Sequence, residues 1–569
     1  MKFLYVLCVL CGLNLPAIAL DREAFTFTNY NLNVRIEPEQ QRLAARGTIT
    51  LRNDSSVPQK NLSLQISSTL DWRSIRAEGK PVQFVSQPYT SDIDHTGAVS
   101  EAIVTLPKEV LPEGSIELEV GYEGTIPLDT TRLTRIGVPE EQARHSDWDQ
   151  ISSSFTAVRG IGYVVWYPVA TEAANLSEQN SIPGTVGRWI VRHSDARMVL
   201  LFESTSDADI FFSGAPDLAT VFTEPSVKKV RAFSMVKPGV NVPTFVIANY
   251  QKIASQDFLD IEFLPGQEDA TKEYSETVSQ IDPIVAVGRG SERLQVLGLP
   301  DPDAASFVSE GLLLTPLKSP VKNEATLAFV YAKARQSMHT SRAWIVEGLS
   351  HYAQAVFIEA QLGRQRALDY LDAHKTELVE AERPAKPATG ETKAFASKAN
   401  RSLIDAPDDV YLQTKAMYVW WMLGDMLGGL PNGALLSYQA VEDKDNAYLQ
   451  RLIEKSAHRD LQWFFDAWVY HDRGLPEFRV DSVYSRPIPK GGHMVTVTIE
   501  NRGEAGAEVP LSLRFEGGEV TKRLEVRARS KASIRIEAPA APREVVVNDG
   551  SVPELDTSNN LYKIESLNH

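Results

Sequence analysis

The hydrophobic spacing changes twice along this 569-residue chain, and that change constrains its fold more than any other feature. From about residue 24 to 252, apolar and polar residues alternate. "NYNLNVRIEP" sends Leu32, Val34 and Ile36 to one face, "RGTITLRN" does so with Ile49 and Leu51, and "SIELEVGYEG" with Ile116, Leu118 and Val120. A period of two belongs to half-buried strands, and the frequent Pro, Gly, Asn and Asp between runs argue for an antiparallel β-sandwich. From about 253 to 475 the period lengthens to that of a helix. "NEATLAFVYAKARQS" puts Leu327, Val330, Tyr331 and Ala334 on one face, with Asn323 as N-cap. "SRAWIVEGLSHYAQAVFIEAQLG" lines up Ile345, Leu349, Tyr352, Val356 and Ala360, with Gly363 placed to end the helix. After Pro476 alternation returns in "HMVTVTIEN", "VPLSLRFEGGEV", "ASIRIEA" and "REVVVNDG".

A chain of this length cannot bury itself around one core, so the spacing changes mark domains. The expected division is an export signal at 1–19, an N-terminal β domain at 20–252, a mainly helical domain at 253–476, a small β-sandwich at 477–550 and a tail at 551–569. Within the helical part, the Pro-, Ala- and Lys-rich stretch 383–402 reads as an exposed loop. The fold class is multidomain α+β. The first residues, "MKFLYVLCVLCGLNLPAIAL", combine Lys2, an apolar run from Phe3 to Leu13 and the small residues Ala17-Ile18-Ala19, the pattern of a cleaved secretion signal. The apolar run is too short to span a bilayer. Cys8 and Cys11 are the only cysteines, so a processed chain has neither disulfides nor thiolate chemistry. The net charge of −16 argues against nucleic acid as a partner, because phosphate binding needs an excess of Lys and Arg. The expected location is periplasmic or extracellular, with no membrane span in the processed chain.

One fragment carries chemistry: Trp344-Ile-Val-Glu347-Gly-Leu-Ser-His351-Tyr352. With "NYNLNVRIEPEQQRLAARGTITLRND", "VPTFVIANY" (242–250) and "DLQWFFDAWVYHDRGLPEFRV", it resembles the gluzincin zinc aminopeptidases of the membrane alanyl aminopeptidase type. The resemblance implies an N-terminal β-sandwich or saddle, a thermolysin-like, mainly helical catalytic-type domain and a small terminal sandwich. It also implies a His-Glu-x-x-His helix whose two histidines share a Zn²⁺ with a glutamate from the next helix. Glu347 matches that third ligand.

The histidines do not match. The ten are His95, His145, His193, His339, His351, His374, His458, His471, His493 and His569; no two are four apart, and none lies between 193 and 339. The family spacing puts Glu324 and Ala328 where the pair belongs. The local hydrophobic pattern instead puts "FVYAK" there, with Phe329 and Lys333 for the histidines and Val330 for the general base. The family's Gly-x-Met-Glu-Asn strand aligns with "SEGLLLTP" (309–316), which lacks the Glu-Asn pair. Its transition-state tyrosine falls on Gln413, with Tyr411 displaced by two.

The chain therefore reads as a degenerate member: an exported aminopeptidase-like pseudo-peptidase that keeps a cleft for a peptide or an envelope protein, with no cofactor. Lys333 is the expected cation beside Glu347, and Lys333, His351, Tyr411 and Gln413 are the cleft candidates. Two other readings stand beside it. One is an active metallo-aminopeptidase with zinc on a non-standard set of Glu347, His351 and His339. The other is a structural envelope component assembled through its terminal sandwich. The Tyr418–Trp421 run reads as helix core or as cleft lining.

Overall fold

The computed structural model describes residues 20–178, 181–217, 226–253, 259–285, 293–317, 322–338, 340–382, 402–406, 410–471, 473–489 and 491–564, with the side chains of 280–285 and 322–325 outside that description. The expected export signal at 1–19, the 383–401 part of the expected loop and His339 therefore lie outside the described residues.

The alternating segments form strands whose buried face is the expected one: Leu32, Val34 and Ile36 are at most 1% exposed, as are Ile49 and Leu51. They belong to an eight-stranded sheet ordered Ala215–Asp217, Lys229–Val236, Arg197–Ser204, Phe25–Glu37, Arg42–Asn53, Ser115–Thr125, Leu70–Ala77 and Lys80–Pro81. The sheet is antiparallel except at its centre, where Phe25–Glu37 runs parallel to Arg197–Ser204, with Leu32 opposite Leu200. A parallel pair needs a long crossover. Here the intervening chain supplies it and carries the second sheet, Gln59–Ser67, Ala98–Val110 and Gln83–Thr90, which shares one core with the first.

The next part opens on strands, not helices. Gln251–Lys252, Leu259–Phe263, Leu294–Gly298, Leu312–Thr315 and Phe307–Ser309 form a five-stranded sheet in that order. Its inner strands are parallel, and Phe307–Ser309 is an edge strand that, among the described residues, pairs with Leu312–Thr315 alone. The helices Glu268–Val285, Lys322–Gln336 and Ala343–Leu362 follow, then Arg364–Glu382 and Ala416–Leu427. The Ala343–Leu362 helix ends as expected: Gly363 takes φ 86°, and its N–H reaches Glu359 O at 2.9 Å. The helix expected to be capped by Asn323 begins at Lys322, so Asn323 lies inside its first turn. None of the described helices is long and apolar enough to cross a membrane.

The terminal part is two packed sheets: Phe478–Pro487, His493–Asn501 and Ser530–Ala538, against Gly518–Val526, Ala507–Phe515, Pro542–Val547 and Leu561–Lys563. The strand Leu561–Lys563 lies beyond residue 550, so the expected tail at 551–569 contributes a strand to this sheet. The core of the helical part runs on into the sandwich through Phe464, Trp468, Leu475 and Phe478, and Trp468 Nε1 donates to Gly506 O at 2.8 Å.

Candidate functional site

Two helices joined by a short turn build the site. Tyr331 and Arg335 are four apart on the Lys322–Gln336 helix, and so share a face. Glu347 and His351 are four apart on the Ala343–Leu362 helix that packs against it. The glycine after Glu347 is required by this packing. A Cβ on Gly348 would sit 2.7 Å from Ala416 Cβ and 2.8 Å from Trp420 Cδ1, so only glycine lets the Ala416–Leu427 helix approach this closely.

Tyr331 Oη donates to Glu347 Oε2 at 2.5 Å, and Arg335 Nη1 donates to Glu347 Oε1. Nη1 also donates to Tyr331 Oη at 3.1 Å. The same guanidinium reaches the β domain: Nη2 donates to Val240 O at 2.9 Å and to Asn241 Oδ1 at 3.2 Å, and Nε to Asn241 Oδ1 at 3.3 Å. The Asn241 carboxamide is itself fixed, donating to Pro238 O at 2.7 Å and accepting from Glu310 N–H at 3.1 Å. Arg335 thus ties two helices, the sheet edge and the β domain together.

The side chains of Arg335 and Glu347 are 8% and 12% exposed. Burial pushes the Glu347 carboxyl up, but the Arg335 charge and the Tyr331 hydroxyl outweigh it and hold the group below the usual carboxylate range. Burial pushes the Tyr331 phenol up, and the Arg335 guanidinium stays charged. Burial pushes His351 down to about 4, and its ring packs edge-on against Tyr331 at 5.1 Å. His351 backs the tyrosine as a neutral ring.

These residues do not fit a zinc ion. One carboxylate is present, both its oxygens are engaged, and a permanent cation touches it, whereas Zn²⁺ needs three or four lone pairs with no like charge alongside. Among the described residues, the group that gathers three potential ligand atoms is elsewhere, at His145, Asp301 and Asp303.

The structure places the expected residues as follows. Glu347 and Gln413 both line a cleft of about 510 Å³ between the β and helical parts. The cation on Glu347 is Arg335, not Lys333. Two residues are about 200° of helical turn, which moves Lys333 round to another face. Tyr411 is buried, its ring 5.1 Å from Lys415 Nζ, and Lys415 pairs with Glu382 at 3.0 Å. Tyr411 lies within the π-helical segment Val410–Lys415, among its buried residues, whereas Gln413 of the same segment lines the cleft. The Tyr418–Trp421 run is core, at most 2% exposed, with Trp420 stacked on Trp344. The cleft-lining part of the sheet edge is 305–308, upstream of the 309–316 alignment, because Leu312–Thr315 is an inner strand.

Sequence reasoning missed Arg335, and it missed the two other guanidinium groups in the cleft wall. Arg132 forms a bidentate pair with Asp147 at 2.6 and 2.8 Å. Arg159 pairs with Asp149 at 2.6 Å, sandwiched 3.8 Å from Trp148 and 3.6 Å from Tyr163. The signal lay in "SDWDQ", two aspartates flanking a tryptophan, which have meaning only once the arginines are in place.

No protein-family model matches the chain, and no curated protein matches it. Solved structures do. Legionella pneumophila aminopeptidase A, in complex with aspartic acid, superposes with a TM-score of 0.57 at 12% identity, covering 93% of this chain and 59% of that one. The M1 zinc metallopeptidase of Deinococcus radiodurans gives a TM-score of 0.47 at 14% identity, covering 80% of this chain and 96% of that one. The chain has a multidomain, mixed α+β fold like that of the Legionella aminopeptidase.

Proposed function

We propose that this chain is an exported, aminopeptidase-like protein that holds a peptide or protein segment in its inter-domain cleft without hydrolysing it. One observation carries the reading: Arg335 and Tyr331, spaced four apart like a metal-binding histidine pair, occupy both oxygens of Glu347. A site filled by a guanidinium offers no Lewis acid, no metal-bound water and no general base. What supports binding is the wall of the cleft. Its three guanidinium groups are each matched by a carboxylate, and Ser306, Phe307 and Val308 of the edge-strand region line the space. An extended peptide can add to such an edge through main-chain hydrogen bonds, which need no charge.

The test is metal content and turnover measured together. The purified chain, incubated with excess Zn²⁺ and dialysed, should hold far less than one ion per molecule, with no change in Glu347→Ala. It should release no N-terminal residue from unblocked peptides. About one tightly bound zinc per chain, lost in Glu347→Ala and coupled to amide cleavage, would restore the metallo-aminopeptidase reading.

A further inference from the structure

The Ser181–Arg192 helix forms part of the wall of the inter-domain cleft. It contributes Ile182, Pro183, Val186, Gly187, Ile190 and Val191 to the lining, adjacent pairs that recur every four positions and so lie along one side of the helix. None of the six carries a charged or hydrogen-bonding side chain. Trp189 fastens the helix to the β domain: it is 4% exposed, and its ring lies 5.2 Å from that of Phe27. Ile182, Val186 and Ile190 rest on the same core but are only partly buried, and line the open cleft. Scattered surface aliphatics need no explanation, but a row of branched side chains along one wall of a concave space marks a ligand surface.

Much of the remaining lining is polar, and its charges are already used. Arg132 is held by Asp147, Arg159 by Asp149 and Arg335 by Glu347, while Ser306 Oγ lies 2.7 Å from Thr315 Oγ1. Gln413 is partly exposed in the cleft, and its carboxamide has no hydrogen-bond partner among the described residues. Matched charges, one apolar wall and an open carboxamide suit an uncharged ligand that carries apolar side chains in a row and has amides to offer. The spacing then selects its conformation. From Ile182 to Val186 and on to Ile190 the helix advances about 6 Å per step. Alternate side chains of an extended chain face the same way about 6.6 Å apart. A bound helix would match this step too, but it spends its main-chain amides on itself, whereas an extended segment keeps them for Gln413.

We infer that the cleft takes an extended segment of a partner polypeptide with apolar side chains at three alternate positions, seated on Ile182, Val186 and Ile190. This rests on the reading that the cleft holds a peptide segment, and it names the class of segment. The probes are two fluorescein-labelled nonapeptide amides of one composition, Ser-Ser-Leu-Ser-Leu-Ser-Leu-Ser-Ser and Leu-Ser-Ser-Ser-Leu-Ser-Ser-Ser-Leu, titrated with the full chain and followed by fluorescence anisotropy. The alternating peptide should bind with a micromolar Kd, at least tenfold tighter than the peptide of helical spacing. Val186→Asp should weaken it tenfold or more. Val85→Asp adds the same charge at a position 64% exposed on the Gln83–Thr90 strand, outside the cleft, and should leave the Kd unchanged. Equal binding of the two peptides, or tighter binding of the second, overturns the inference and leaves the cleft reading standing. So does a Kd indifferent to Val186→Asp. The peptide comparison uses the unaltered chain, so it decides the matter even where Val186→Asp fails to fold. Binding of neither peptide removes the cleft reading itself, and the inference with it.

Discussion

Replacing Arg335 by methionine tests the site most directly. Methionine keeps the aliphatic stem and removes the guanidinium, so the Glu347 carboxylate is left without its cation at 12% side-chain exposure. Removing one partner of a buried pair costs about 3–5 kcal/mol, because the other charge remains desolvated. The double variant Arg335→Met/Glu347→Gln removes both charges, leaves Tyr331 an amide oxygen to donate to, and should fall within about 1–2 kcal/mol of the wild type. The pH dependence has a definite sign. In the wild type the Glu347 carboxyl titrates below its ordinary range, so its contribution is complete above that range and lost only as pH falls through the depressed value. In Arg335→Met the burial penalty, the largest influence on this group, is opposed mainly by the Tyr331 hydroxyl, and the carboxyl shifts above its unfolded value. The deficit is then largest near neutrality and shrinks as acid protonates the group. Urea unfolding at pH 7 and pH 5 reads this out through Trp344, Trp420 and Trp468, which share one core. A single-variant cost below about 1 kcal/mol, or a deficit that does not change with pH, would refute the reasoning.

Tyr331→His/Arg335→His sets two imidazoles beside Glu347 and should gain one Zn²⁺ with a Kd of micromolar or tighter; a folded double variant that binds none would show that the two faces are not in ligand register. Gly348→Ala should cost about 1–3 kcal/mol by forcing a methyl against Ala416 and Trp420, measured as a lowered urea midpoint. Glu554 accepts from Phe478 N–H at 3.1 Å and from the carboxamides of Asn548 and Asn560, while burial pushes its carboxyl up to about 7. A raised carboxyl favours the folded state below the ordinary range and loses that advantage as pH rises through about 7. The melting point should therefore fall from pH 5 to pH 8, and Glu554→Gln should flatten that fall.

What the sequence disclosed follows from which faces meet water. Strands with one wet face announce themselves, as Leu32, Val34 and Ile36 do between Asn31, Asn33 and Arg35. Leu294–Gly298 and Leu312–Thr315 do not, because parallel strands covered on both faces lose the alternation and read as short apolar runs. The same effect hid Arg335. Phe329, Val330, Ala332, Lys333, Ala334, Arg335 and Gln336 are all buried, so the second half of that helix has no wet stripe from which its orientation could be read. The local pattern then favoured positions 329 and 333, whereas contact with the next helix selects 331 and 335. Glu347 was legible because its neighbour is a glycine pinned by a helix crossing, a constraint visible in one residue.

The pairing also explains why Glu347 can be present without a metal. A carboxylate at this depth without a cation would be driven to protonate, and a guanidinium at this depth without an anion cannot shed its proton at all. Arg335 therefore requires Glu347 more strictly than Glu347 requires Arg335. Glu347→Gln alone should destabilise the chain by an amount that holds steady from pH 7 to pH 5 and shrinks only where the wild-type Glu347 itself protonates, below its ordinary range. Arg335→Met alone should recover on acidification. That asymmetry distinguishes a charge pair that holds the domains together from a leftover zinc ligand, whose removal would leave Arg335 as stable as before.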